Sequence, residues 1–295
     1  MHGLWIAIAL FQLPYTAFQH AELVTIAGYA GDAMEPFVTH DGRFLLFNNR
    51  NDSGVNTNLH YAEKIDALHF AYRGEIQGVN TSALEAVPSV SCDGDLYFVS
   101  TRSYPETFST IYRARFSEGV ASGIELAPGI SRRTPGWVNF DAEVSADGQT
   151  LYAVDSRFSA GGTPLSADLF IARKRDGAFV RAPDSDDVLR LVNTDELEYA
   201  PAVSADGLEL FFTRVRAIRA DAVPRIWRSV RHSVRDPFGA PQVVSSISGF
   251  AETPTLSPDG LSLYYHARVG GRYVIFRVTR EAKAGNDVHS NGCPH

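Results

Sequence analysis

EPFVTHDGRFLLFNNR, residues 35–50, places a Pro, a Thr, an Asp-Gly pair, an apolar–aromatic run and an Arg in one short stretch. Asp-Gly between two β-type runs marks a tight hairpin, because Gly accepts positive φ and Asp bonds into its own turn. The stretch recurs four more times: VPSVSCDGDLYFVSTR (87–102), DAEVSADGQTLYAVDSR (141–157), APAVSADGLELFFTRVR (200–216) and TPTLSPDGLSLYYHAR (253–268). The Asp falls at 41, 93, 147, 206 and 259, a period of fifty to sixty residues. Five matches at near-constant spacing define a repeat.

Each unit has the same mechanical parts. Thr39, Ser91, Ser145, Ser204 and Ser257 precede the Asp by two positions and are placed to bond into the turn. A third β-type run follows at residues 59–61, 110–112, 168–171, 225–227 and 273–276, and a fourth at 75–76, 124–126, 188–192 and 242–244. Four short antiparallel strands at this period predict the blades of a five-bladed β-propeller. The fifth unit ends before its fourth strand, and residues 22–28 (ELVTIAG) are expected to supply it and close the ring. A helical repeat is excluded by the period-2 pattern; a β-sandwich is the competing all-β architecture.

Composition agrees. The 295-residue chain is 44% hydrophobic and 21% charged, with 18 Phe, 12 Tyr and 24 Gly, which suits a folded β-rich protein. Its net charge of −7 argues against a nucleic-acid partner. Residues 1–21 read as a secretory leader without a basic n-region, 22–280 as the propeller, and 281–295 as a polar, disordered tail. No segment of the mature chain reads as transmembrane, so the expected location is periplasmic or secreted. Cys92 and Cys293 are either a disulfide tethering the tail or two unrelated thiols.

The pattern P-x-[VL]-S-x-D-G-x-x-[LI]-[YF]-[FY]-x-[ST]-x-R resembles the TolB-type, WD-like propeller repeat over about residues 22–280. The TolB propeller has six blades against the five repeats here. The resemblance implies a propeller and a binding role, and no G-x-S-x-G elbow suggests the hydrolase of related regulatory propellers.

In a propeller, the start of each first strand and the end of each second strand share one rim, opposite the Asp-Gly turns. Acids stand at the first place: Glu35, Glu85, Asp141 with Glu143, Glu198 and Glu252. Arginines stand at the second: Arg50, Arg102, Arg157, Arg214 or Arg216, and Arg268. Repeated in every unit, they read as blade-pinning ion pairs; read more sharply, they form an acidic ring able to take a divalent metal or a cationic ligand at the channel mouth. No other cofactor is evident. Departures from the repeat are better functional clues. The connection 129–140 adds Arg132, Arg133, Trp137 and Asn139 to the rim, and His266 stands where the other units have Asn48, Ser100, Val154 and Thr213. Asp141, Glu143, Glu198 and Glu252 offer paired carboxylates, with Trp137 or Tyr199 to stack on a sugar. Two functions follow: an exported scaffold binding a protein, peptide or small ligand on this rim, or a carbohydrate hydrolase or lyase using the rim carboxylates, with or without a metal.

Overall fold

A computed structural model describes residues 14–51, 55–216, 222–283 and 293. Every Asp-Gly forms its hairpin as the turn chemistry requires. Gly42, Gly94, Gly148, Gly207 and Gly260 all take positive φ. Thr39 Oγ1 donates to Asp41 Oδ1 at 2.6 Å, and the same oxygen accepts the Arg43 amide at 3.0 Å. Ser145 with Asp147, Ser204 with Asp206 and Ser257 with Asp259 repeat the bond.

The hairpins pair Met34–Val38 with Phe44–Asn48, Glu85–Val90 with Asp95–Ser100, Ala142–Val144 with Thr150–Phe158, Leu197–Val203 with Glu209–Val215, and Ala251–Leu256 with Ser262–Val269. Third strands follow at Leu59–Lys64, Ile111–Ser117, Pro164–Arg175, Arg225–Val230 and Arg272–Thr279. Outer strands are His69–Glu75, Val120–Leu126, Ala178–Arg181 and Gln242–Val243. In the fifth unit Gln19–Leu23 takes the outer position, antiparallel to Arg272–Thr279. A parallel bridge from Ala167 to Leu197 joins the third and fourth units into one larger sheet.

Two expectations need correcting. Residues 188–192 are not the outer strand of the third unit: that strand is Ala178–Arg181, and Ser185–Val188 is a short helix. Residues 22–28 are not one strand either. Gln19–Leu23 completes the last unit, while Thr25–Ala27 pairs in parallel with His69–Glu75 of the first. Part of the segment read as a leader belongs to the fold. Phe18 is buried edge-on against Phe211, and the Arg280 guanidinium lies 3.7 Å from the Tyr15 ring centre. Residues 1–13 lie outside the described residues. Cys92 and Cys293 form a disulfide, so the described end of the tail is tied to the second unit.

The second strands are buried on both faces, as strands sandwiched between neighbouring sheets must be. The core is divided into clusters, each shared by two successive units. Phe37 and Leu46 meet Leu96 and Phe98; Val99 and Ile111 meet Val144 and Leu151; Val154 and Leu169 meet Leu210 and Phe212; Phe211 and Ile226 meet Leu263 and Tyr265. A fifth cluster packs Phe47 and Phe70 of the first unit against Tyr264 and Ile275 of the last. Two stacked sheets would share one core, so this is a propeller-like arrangement and not a sandwich.

The first strands carry a repeated irregularity. Glu35, Val87, Ala200 and Thr253 have φ near +50° and each precedes a proline, at 36, 88, 201 and 254. Positive φ disfavours L-residues, and a following proline restricts the residue further. Each sits at a break in ladder register, a β-bulge. The bulge turns an amide out of its own ladder toward the preceding unit. Glu35 N–H reaches His266 Nδ1 at 3.1 Å, Val87 N–H reaches Asn48 Oδ1 at 3.1 Å, and Thr253 N–H reaches Thr213 Oγ1 at 3.0 Å. The third unit has Val154 at that position, which cannot accept, and Asp141 Oδ2 takes the Ala200 amide instead at 3.1 Å.

Candidate active site

The five rim acids divide into two kinds. In the second and fourth units the acid is held by a fixed set of donors. Glu85 accepts from Thr81 N–H and Oγ1, from Ser100 Oγ at 2.7 Å, and from Arg102 at 3.1 Å, while Arg102 also donates to Val79 O. Glu198 accepts from Thr194 N–H and Oγ1 and from Arg214 at 2.6 Å, while Arg214 also donates to Val192 O. These are blade pins. They occupy Arg102 and Glu198, which the sequence offered as rim ligands.

In the first, third and fifth units the pairing fails. Arg50 bonds Asp32 at 2.7 Å and Gly271 O, not Glu35. Arg157 is exposed on the strand partner of Trp137, and exposed Arg268 lies beside the Tyr273 ring. Glu35, Asp141 and Glu252 are thus left without a guanidinium. They come together at the centre: Glu35 and Glu252 each raise the proton affinity of Asp141, and Glu252 raises that of Glu35.

Their surroundings differ in useful ways. Burial, opposed by His266 and reinforced by Glu252, pushes the Glu35 carboxyl up to about 7. Its Oε1 accepts from Asn51 Nδ2 at 2.7 Å, while its Oε2 is buried with no hydrogen-bond partner, a rarity that marks a site of protonation or ligand contact. Asp141 is almost wholly buried and raised well above the carboxylate range, first by burial and then by Glu35. Glu252 is half-buried and held at both oxygens, by the Tyr199 hydroxyl on Oε1 and by His266 Nε2 at 3.1 Å on Oε2. The tautomer follows from the bulge: Nδ1 of His266 accepts the Glu35 amide, so Nε2 carries the proton that Glu252 receives. Phe140 packs beside Tyr199 and Phe250 beside His266, lining the site with rings.

Glu35 and Asp141 themselves line, with Pro36, Pro88, Ala142, Pro201 and Pro254, a cavity of only about 10 Å³, space for about one water. Glu143 lines the same cavity, bonded to Val203 N–H and pushed by burial to about 8. Among the described residues no three or more His, Cys, Asp or Glu side chains are grouped to hold a metal ion, and Glu252 spends both oxygens on protein donors. Asn139, buried, donates to Asp155 Oδ1 and Val154 O. Asp155 gathers Arg132 and a bidentate Arg181, and Arg132 lies 4.5 Å from the Trp137 ring centre. Asn51 and Asp155 escaped the sequence reading; Asn51 lies just beyond the second strand of the first unit and Asp155 within that of the third, each next to a position that reading did weigh.

No family model and no curated protein matches this chain. Solved structures do. An endo-arabinase from Bacteroides thetaiotaomicron aligns at TM-score 0.56 and 14% identity over 92% of this chain and all of its own. The catalytic domain of an α-L-arabinofuranosidase from Coprinopsis cinerea aligns at 0.52 and 12% over 92% of this chain and 98% of that one. These likenesses define the class: the protein is a β-propeller. A structure described as a putative TolB from Agrobacterium tumefaciens aligns at 0.45 and 15% identity, covering 84% of this chain and 74% of that one; the propeller is supported, the TolB type specifically is not.

Proposed function

We propose that the chain is a closed five-bladed propeller whose centre hydrolyses glycosidic bonds. Ring closure is supported by the core cluster and the His266–Glu35 bond linking the last unit to the first. The observation that carries the reaction is the unneutralised trio Glu35, Asp141 and Glu252, in a molecule that pins its other two rim acids with arginine. Glycoside hydrolysis needs one protonated and one ionised carboxyl flanking the scissile bond. Glu35, with its raised proton affinity, donates a proton to the leaving glycosidic oxygen. Glu252, oriented by Tyr199 and His266, acts at the anomeric carbon, directly or by taking a proton from the attacking water. The charge of Glu252 helps keep Glu35 protonated, and Asp141 stands beside them as a second protonated carboxyl. The small cavity cannot hold a sugar ring, which must meet the trio from its solvent side, where Glu35 and Glu252 are only half-buried. The hydrolase neighbours add fold-level support. A pure binding scaffold, the other function consistent with a propeller, gives no reason for the trio. The disulfide supports export to an oxidising compartment.

The test is turnover of a panel of aryl pentosides, aryl hexosides and plant and bacterial polysaccharides. The expected result is hydrolysis of at least one, with kcat lowered about 100-fold or more in Glu35→Gln and Glu252→Gln. Turnover by neither wild type nor variants, or equal turnover by all three, overturns the reading.

A further inference from the structure

A groove of about 1110 Å³ runs along the third unit, apart from the carboxylate trio. One wall is the connection that breaks the repeat, with Ser131, Arg132, Arg133 and Trp137. The other carries Asp168, Arg181 and Arg190. Four guanidiniums face three carboxylates, Asp155, Asp168 and Asp186, around this groove, a net positive lining on a chain whose net charge is −7. Arg132 and Arg181 share the single carboxylate of Asp155. Arg133 and Arg190 are exposed, and Arg190 bonds a backbone carbonyl, Asp187 O. The Oγ of Ser131 is buried without a partner. Trp137 is half-buried, and its ring lines the groove.

An aromatic ring with hydroxyl-bonding side chains fits a sugar; paired arginines fit a carboxylate. We propose that this groove is a subsite for an acidic, uronate-containing oligosaccharide, with Trp137 under one sugar ring and Arg133 and Arg190 on its carboxylates. One stretch of chain links the groove to the site described above. Trp137 and Asp141 lie four residues apart on one segment, about 13 Å at ~3.3 Å per residue when extended, and buried Asn139 between them bonds Asp155 at the groove wall. The bound chain therefore runs from the groove to the trio and spans several sugars. This names a substrate class for the hydrolase reading and rests on that reading only for what happens to the glycan, not for its capture.

Binding is measured on the full-length Glu252→Gln variant by titration calorimetry with trigalacturonic acid and, separately, neutral galactotriose. The acidic trisaccharide is expected to bind at least about tenfold tighter, a margin that shrinks as salt is raised. The double change Arg133→Ala/Arg190→Ala, at exposed positions, is expected to remove that margin and leave the neutral sugar unaffected. Trp137→Ala should weaken both. Equal binding of the two sugars, binding of neither, or an unchanged acidic affinity in the double variant overturns the proposal. If the acidic sugar binds as expected and wild type hydrolyses nothing, the hydrolase reading falls and the groove stands. If neutral glycosides are hydrolysed at rates indifferent to Arg133 and Arg190, the reverse holds.

Discussion

His266 serves two neighbours at once. Its Nδ1 holds the bulge amide of Glu35, the task that Asn48 and Thr213 perform elsewhere, while its Nε2–H points at Glu252. His266→Thr keeps a short acceptor of the kind Thr213 provides but loses the donor to Glu252. It should lower kcat with little change in KM, since the carboxylate loses the hydrogen bond that orients it. His266→Ala also strands the Glu35 amide and should cost about 1–3 kcal/mol more in denaturant unfolding. Glu35 as the acid predicts that kcat/KM falls as pH rises through about 7. Stability follows the same sign. Glu35 and Glu143 have folded pKa values of about 7 and about 8, raised above the ordinary 4.5. Their favourable contribution is complete below 4.5 and is lost as pH climbs through the raised values. Unfolding free energy should therefore decline from mildly acidic to mildly alkaline solution. Glu143→Gln, whose amide oxygen can still accept the Val203 amide, should flatten the upper part of that decline. A pH-independent unfolding free energy in the wild type would falsify the assignment.

Among the strands, the blade pins and the central trio make opposite predictions from superficially similar residues. Glu85→Gln leaves Arg102 without its carboxylate and Glu198→Gln leaves Arg214 only the more distant Glu196, 4.0 Å away; both should destabilise by about 3 kcal/mol or more, with per-molecule turnover retained in whatever remains folded. Glu35→Gln and Glu252→Gln should do the reverse. Unfolding curves beside kcat for all four variants decide it. This division was only half visible in the sequence. The turns were readable because their chemistry is local: Ser or Thr, two residues, then Asp-Gly. The acids were readable as a set, but not their sorting. Glu35 stands at its bulge, Asp141 at the equivalent place in a unit that has none, Glu252 one residue before its bulge, and Glu85 and Glu198 two before, so small offsets along the strand separate the carboxylates that meet an arginine from those that do not. The bond from Glu35 to His266 crosses most of the chain, and no local pattern encodes it. Outer strands carried the weakest signal, since one edge is solvated and little alternation is required, which is why residues 188–192 and 22–28 were misplaced.

The whole molecule is held by contacts between its two ends and its middle. Phe18 anchors the outermost strand of the last unit among Phe211, Ile226 and Leu263. Phe18→Ala should cost about 3–5 kcal/mol and release Gln19–Leu23, uncovering the edge of Arg272–Thr279. Unfolding free energy and light scattering would report the loss and the self-association that follows; unchanged values would contradict closure through this strand. Reduction of the Cys92–Cys293 link, or Cys293→Ser, should lower stability by about 2–4 kcal/mol, given how much chain it encloses.

The strand Gln19–Leu23 has a consequence for biosynthesis. It leaves the ribosome long before its partner Arg272–Thr279. The units between them can assemble while that partner is still to be made, with the outermost strand of the fifth unit made early and kept unpaired. During that interval the nascent protein carries one loose strand and is about to expose one naked edge, each able to pair with the same segment of a neighbouring chain on the same message. Expression yield should then depend less on the stability of the finished molecule than on how quickly these two strands of a single chain find each other.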